Sequence, residues 1–127
     1  MNRLTQLFDD GGQSPWLDNL RRGWITSGEL RRRVDNGVRG LTSNPSIFEK
    51  AIVGSPDYDA AIRALSGEGQ PAEAIYEALA LEDICRAADL LRPVYERTKG
   101  GDGYVSLEVS PTLAHETDAT IAEARRL

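Results

Sequence analysis

Apolar residues along the chain fall into short runs separated by longer stretches of helical spacing. That alternation predicts three strands divided by helices, the pattern of a parallel sheet. The first strand is read at residues 15–18, after the turn-like Asp9-Asp10-Gly11-Gly12, with no regular element assigned before it. A helix follows at 27–34, where Leu30 and Val34 lie four apart and Gly37 is placed to end it. The second strand, 38–42, leads into a helix at 45–52 and a turn at Gly54-Ser55-Pro56. Asp57 is expected to cap the next helix, whose Tyr58, Ala61, Ile62 and Leu65 share a face until Gly67. A long helical stretch runs from 71 to about 98, with Ile75, Leu79, Ile84, Ala88 and Leu91 at helical spacing and Pro93 expected to bend or break it. After the turn Gly100-Gly101-Asp102-Gly103 comes a third strand, 104–110, ended by Pro111, and then a final helix at about 117–127.

Two of these segments carry more than structure. In Gly40-Leu41-Thr42-Ser43-Asn44-Pro45-Ser46-Ile47-Phe48 a buried strand breaks into a helix. Thr42 and Asn44 are two apart, so on an extended backbone they point the same way. Pro45 stops the strand and suits the first helical position, with Asn44 or Ser46 able to cap; Ser46 and Glu49 have capping-box spacing. The third strand alternates fully: Val105, Leu107 and Val109 on one face, Ser106, Glu108 and Ser110 on the other. A doubly wound sheet has helices over both faces and needs both to be apolar. A single apolar face fits either a barrel wall around a polar interior or a half-exposed antiparallel strand, and the pattern alone leaves the two even.

Length and charge then narrow the class. At 127 residues the chain makes one domain, and a net charge of −5 with pI near 4.9 argues against a nucleic-acid binder or a partner of anionic membranes. Nothing reads as a membrane span or as an N-terminal targeting segment, so the expected setting is cytoplasmic. The single cysteine, Cys85, excludes an internal disulfide and reads as a small core residue. Trp16 and Trp24 read as core and helix packing, His115 as a surface or capping residue, and Arg31-Arg32-Arg33 as a solvated helix face.

The candidate chemistry lies at the strand ends. Asp18, Asn44 and Glu108 each fall at or near the carboxyl end of a separate strand, where parallel topology gathers them. Two carboxylates beside a carboxamide and the Thr42 hydroxyl form a general acid/base set. Taken singly, each has a plainer role: Asp18 as a turn cap, Asn44 as an N-cap, Glu108 as a solvated strand residue. No metal-ligand cluster and no phosphate-binding glycine motif appears.

Four stretches, Trp16-Leu17-Asp18-Asn19-Leu20 and residues 40–50, 75–96 and 105–125 with their Ser-Leu-Glu-Val-Ser-Pro core, resemble the N-terminal portion of transaldolase. The bacterial subgroup that includes transaldolases fused to glucose-6-phosphate isomerase is the nearest in character. Leu41 stands where that pattern has a β-branched residue. The resemblance implies an α/β fold that is part of a (β/α)8 TIM barrel, about its first three βα units. It implies transfer of a dihydroxyacetone unit from a ketose phosphate such as sedoheptulose 7-phosphate to glyceraldehyde 3-phosphate, in the pentose phosphate pathway. A lysine Schiff base serves as electron sink and no cofactor is needed. Motif by motif, Asp18 corresponds to the acid/base of carbon–carbon cleavage and Glu108 to the carboxylate that works through a water. Asn44 holds the donor's hydroxyls, with Thr42 beside it and Ser110 as a further substrate contact.

The same resemblance places the Schiff-base lysine on the strand after the one bearing Glu108. The chain's two lysines, Lys50 and Lys99, fall elsewhere. The expectation is therefore an N-terminal fragment of transaldolase, inactive alone, that self-associates or pairs with the missing part of the barrel. The rival reading is a non-catalytic half-barrel that binds sugar phosphates or a complementary fragment. A smaller Schiff-base aldolase of the same superfamily fits less well, because of the long helical insertion between the second and third strands.

Overall fold

The computed structural model describes residues 2–127. α1 (Arg3–Asp9) leads into β1 (Trp16–Asp18), α2 (Arg22–Thr26) and α3 (Glu29–Asp35). Then come β2 (Gly40–Thr42), α4 (Pro45–Val53), a 3-10 turn at Pro56–Tyr58, α5 (Asp59–Gly67) and α6 (Ala72–Arg97). β3 (Val105–Ser106), a second 3-10 turn at Pro111–Leu113 and α7 (Thr117–Arg126) complete the order. The strands form one sheet in the order β1-β2-β3, both pairings parallel. That parallel pairing rules out the antiparallel alternative for the third strand.

Register separates the two faces of the sheet. Leu17 lies opposite Leu41 and Leu41 opposite Val105. This apolar row packs with Leu20, Leu30 and Phe48 and with Ala80, Ala87, Leu91 and Val94 of α6. Each large apolar side chain so buried contributes about 1.5–3 kcal/mol. The next row, Asp18–Thr42–Ser106, faces the other way, and so does the pair Trp16–Gly40. Gly40 is required there, because a β-carbon at this position would overlap the Trp16 ring. Trp16 is thus not core: it covers Gly40 from the open face and remains 40% exposed.

Several boundaries differ from those read in the sequence. α1 was not foreseen; Asn2 caps it by accepting from the Thr5 N–H, and also donates to the Asn36 carbonyl at 2.7 Å. The helix read at 27–34 is α3, which starts after Gly28 in a left-handed conformation; the short α2 before it lies outside the residues read as helical. Ser55, not Asp57, caps the turn before α5, by accepting from the Asp57 N–H. α6 runs through Pro93 without a break, with the proline exposed near the helix end. Cys85 is exposed on α6 and takes no part in the core.

The third strand is much shorter than the 104–110 read from its alternation. β2 stops at Thr42 because Pro45 opens α4, so β3 has no partner beyond Ser106. At that last position the Ser43 hydroxyl donates to the Ser106 carbonyl at 2.7 Å, where a ladder N–H would otherwise have been.

At the amino ends of the strands, buried Asp102 collects four donors. They are the Ser14 hydroxyl, the Trp16 indole at 3.2 Å, Arg39 Nε at 2.6 Å and, on the Asp102 backbone carbonyl, the Thr98 hydroxyl at 3.5 Å. Burial alone would raise the carboxyl's pKa. The hydrogen bonds from Ser14, Arg39 and Trp16, with the arginine's charge, outweigh burial and hold it below the usual carboxylate range. A depressed carboxyl adds stability that is complete above the unfolded-state pKa of about 3.9 and is lost as pH falls through the folded value. Asp102→Asn is therefore expected to flatten the acid limb of a stability–pH curve below about pH 4, as urea midpoints would show.

Candidate functional site

The carboxyl ends of the strands hold the predicted polar residues, but the structure sorts them into two groups. Asp18 and Thr42 sit directly opposite in the β1–β2 register, and the Thr42 hydroxyl donates to Asp18 Oδ1 at 2.7 Å. Ser106, which the sequence reading did not select, extends this row on β3. Asn44 ends the connection from β2 and caps α4: its Oδ1 accepts from the Ile47 N–H at 2.9 Å. Among the described residues only the carboxamide oxygen is engaged, and the N–H donors have no partner.

Glu108 and Ser110 form the second group. Because β3 ends at Ser106, they lie on irregular backbone and not on the strand face predicted for them. Both line a cleft of about 490 Å³ with Pro45, Tyr76, Leu107 and Val109. Glu108 is exposed and, among the described residues, makes no hydrogen bond or ion pair, whereas Ser110 caps the Pro111–Leu113 turn by accepting from the Thr112 N–H. No hydrogen bond joins Glu108 to Asp18, Thr42 or Asn44 among the described residues. Pro45, next to Asn44, is the physical link between the two groups, as it belongs to the wall of the cleft.

Tyr76 is the cleft residue that sequence reasoning missed. Its ring packs edge-on against buried Phe48, with centroids 6.2 Å apart. Burial, and then the charge of Glu108, raise the phenol's pKa above its ordinary value. Neither Lys50, exposed in the last turn of α4, nor Lys99, exposed beside Gly100 with φ 53°, lies on a strand end.

Beneath the loop that follows Asp18 lies a buried ionic network. Arg22 Nε donates to Asp83 Oδ1 at 2.8 Å and an Nη donates to Glu82 at 2.8 Å. Tyr58 donates to the other Asp83 oxygen at 2.8 Å and accepts from the Arg22 backbone N–H at 2.9 Å. Burial first, and the Asp83 carboxylate with it, hold the Tyr58 phenol well above its usual range. The network joins α2, the Pro56–Tyr58 turn and α6, and so anchors the start of α2, four residues after Asp18. Among the described residues no group of three acidic, histidine or cysteine side chains is placed to hold a metal ion.

A family model described as transaldolase/fructose-6-phosphate aldolase matches residues 15–127. The chain belongs to that family. Among relatives, Transaldolase 2 of Nostoc punctiforme is 59% identical over 116 residues, covering 91% of this chain and 30% of its own. Transaldolase 2 of a Nostoc species is 58% identical over 127 residues, covering 99% and 33%. The transaldolase of Trichodesmium erythraeum is 53% identical over 126 residues, covering 98% and 33%. The chain thus spans about a third of the length of these transaldolases. The stretch matched by the family model takes in all three strands, both groups of polar residues and the buried Arg22–Asp83 network.

Proposed function

We propose that this chain forms one wall of a transaldolase site, in an α/β barrel of which β1–β3 are the first three strands. The observation that carries the reading is the Asp18–Thr42 pair, set on the sheet face away from the helices, at the carboxyl end of parallel strands. In a (β/α)8 barrel that face is the interior and that end holds the chemistry. Asp18 is the acid/base that takes the donor's hydroxyl proton as the carbon–carbon bond breaks, with Thr42 fixing its orientation. Glu108 acts through a water in imine formation and hydrolysis. The free Asn44 amide holds the dihydroxyacetone hydroxyls, and Ser110 makes a further substrate contact.

The substrates on this reading are sugar phosphates of the pentose phosphate pathway, and the setting is cytoplasmic. The electron sink is a lysine Schiff base supplied by residues outside these 127, because neither Lys50 nor Lys99 lies at the strand ends. Each outer strand has one edge without a partner strand among the described residues. The remaining barrel strands, or a second copy, cover those edges.

The purified chain given fructose 6-phosphate and erythrose 4-phosphate is expected to show no turnover, and borohydride with a dihydroxyacetone donor to leave no reduced adduct. An adduct on Lys50 or Lys99 would overturn the assignment of the nucleophile to residues outside the chain.

A further inference from the structure

We propose that Ser43 is a positioning residue for Glu108: its hydroxyl ties the end of β3 to the connection from β2 to α4, and so holds the Glu108 wall of the site to the Asn44 wall. The proposal rests on the reading of Glu108 as the carboxylate that works through a water. It adds what holds that carboxylate where its own strand has ended.

The ladder between β2 and β3 shows where the hydroxyl acts. On its paired part the Leu41 N–H donates to the Tyr104 carbonyl at 3.1 Å. A parallel ladder repeats every two residues on each strand, so the next rung runs from residue 43 to the carbonyl of residue 106. At that rung the donor is a side chain: the Ser43 hydroxyl reaches the Ser106 carbonyl at 2.7 Å. No backbone N–H of the β2–α4 connection donates to that carbonyl among the described residues. The Ser43 backbone is thereby released from the sheet and turns into α4, where Asn44 accepts from the Ile47 N–H at 2.9 Å. The chain leaves the sheet, and the side chain keeps β3 attached.

The bond is placed to matter for Glu108. It holds the peptide between Ser106 and Leu107, Leu107 packs against the main core cluster, and Glu108 follows. Beyond Ser106 no strand partner supports this backbone, and Glu108 makes no hydrogen bond or ion pair of its own among the described residues. The other hydroxyls around it are committed elsewhere, Thr42 to Asp18 and Ser110 to its own turn. Ser43 is 2% exposed, so water does not readily replace its hydroxyl.

The first test uses the isotopically labelled chain. In the parent the Leu107 and Glu108 amides are expected to be as ordered as those of β2, with order parameters of about 0.85. In Ser43→Ala both fall below about 0.6, while the Leu41 and Ile47 amides keep theirs. Equal values for Glu108 in the two proteins would overturn the proposal. Ser43→Cys fills the same space with only a weak donor and is expected to loosen the same two residues. Should the alanine variant not fold, a cysteine variant with Glu108 as ordered as in the parent overturns it instead.

The second test reads the role. In a full-length barrel made by substituting residues 15–127 for the matching stretch of a relative, Ser43→Ala is expected to slow borohydride trapping of a dihydroxyacetone donor about ten- to hundredfold. In a Glu108→Gln background the same substitution is expected to change trapping by less than about twofold, because the group it positions is already gone. Equal losses in both backgrounds would mean a structural role only. An unmodified chimera that transfers nothing speaks against the proposed site, whereas Ser43→Ala as fast as an active chimera speaks against Ser43, so the two failures register separately.

Discussion

Replacing Asp83 by alanine is expected to cost about 3–5 kcal/mol, enough to remove a large share of the stability of a domain this size. Asp83 is 0% exposed, and its two oxygens hold the Arg22 guanidinium and the Tyr58 hydroxyl. Its removal leaves an arginine that is itself 7% exposed with only the half-exposed Glu82 as partner, and strips the phenol of its acceptor. The penalty comes from the charge left behind more than from the interaction lost. Replacing the set together, as Arg22→Met, Tyr58→Phe and Asp83→Leu, is therefore expected to cost much less than Asp83→Ala alone. Urea unfolding of the two variants measures the difference. A single variant within about 1 kcal/mol of the parent would show that the network is not dry.

The second large effect concerns Asp18. Placed in a full-length barrel by substituting residues 15–127 for the matching stretch of a relative, Asp18→Asn is expected to lower turnover about 10²–10⁴-fold. Asparagine keeps an oxygen for the Thr42 hydroxyl, so the β1–β2 contact and the fold are retained. The loss falls on bond cleavage and not on imine formation, so borohydride trapping of the donor is expected to persist in this variant. Slow trapping together with slow turnover would instead place Asp18 at the imine step.

The features legible in the sequence were those written in local chemistry. The helix start at Pro45, with a side-chain cap at Asn44, follows from two adjacent residues, and it marks the end of β2 beside Thr42. The third strand was read too long because its alternation runs to Ser110, whereas its length depends on where β2 stops, which is a non-local matter. Glu108 and Ser110 were thus assigned to a strand face and lie in a cleft wall.

The stripe of α6 shows a subtler miss. Leu79, Ala80, Asp83, Ala87, Leu91 and Val94 are its buried residues, with Ile84 and Ala88 to one side. Asp83 sits at a core position of that stripe, flanked by apolar residues at helical spacing. An acidic residue there implied a buried cationic partner, and this signal in the sequence was available but unused. Cys85 was assigned to the core for its residue type alone, and the same stripe shows that it points to solvent.

The central claim is that these residues make a working wall of a transaldolase site. The direct measurement is the activity of the chimera that carries residues 15–127 of this chain, unmodified, within the 59%-identical Nostoc punctiforme transaldolase. With sedoheptulose 7-phosphate and glyceraldehyde 3-phosphate, the expected result is transfer within about tenfold of the parent enzyme, a change of no more than about 1.4 kcal/mol in the barrier. A chimera that folds as the parent does but transfers nothing would contradict the account.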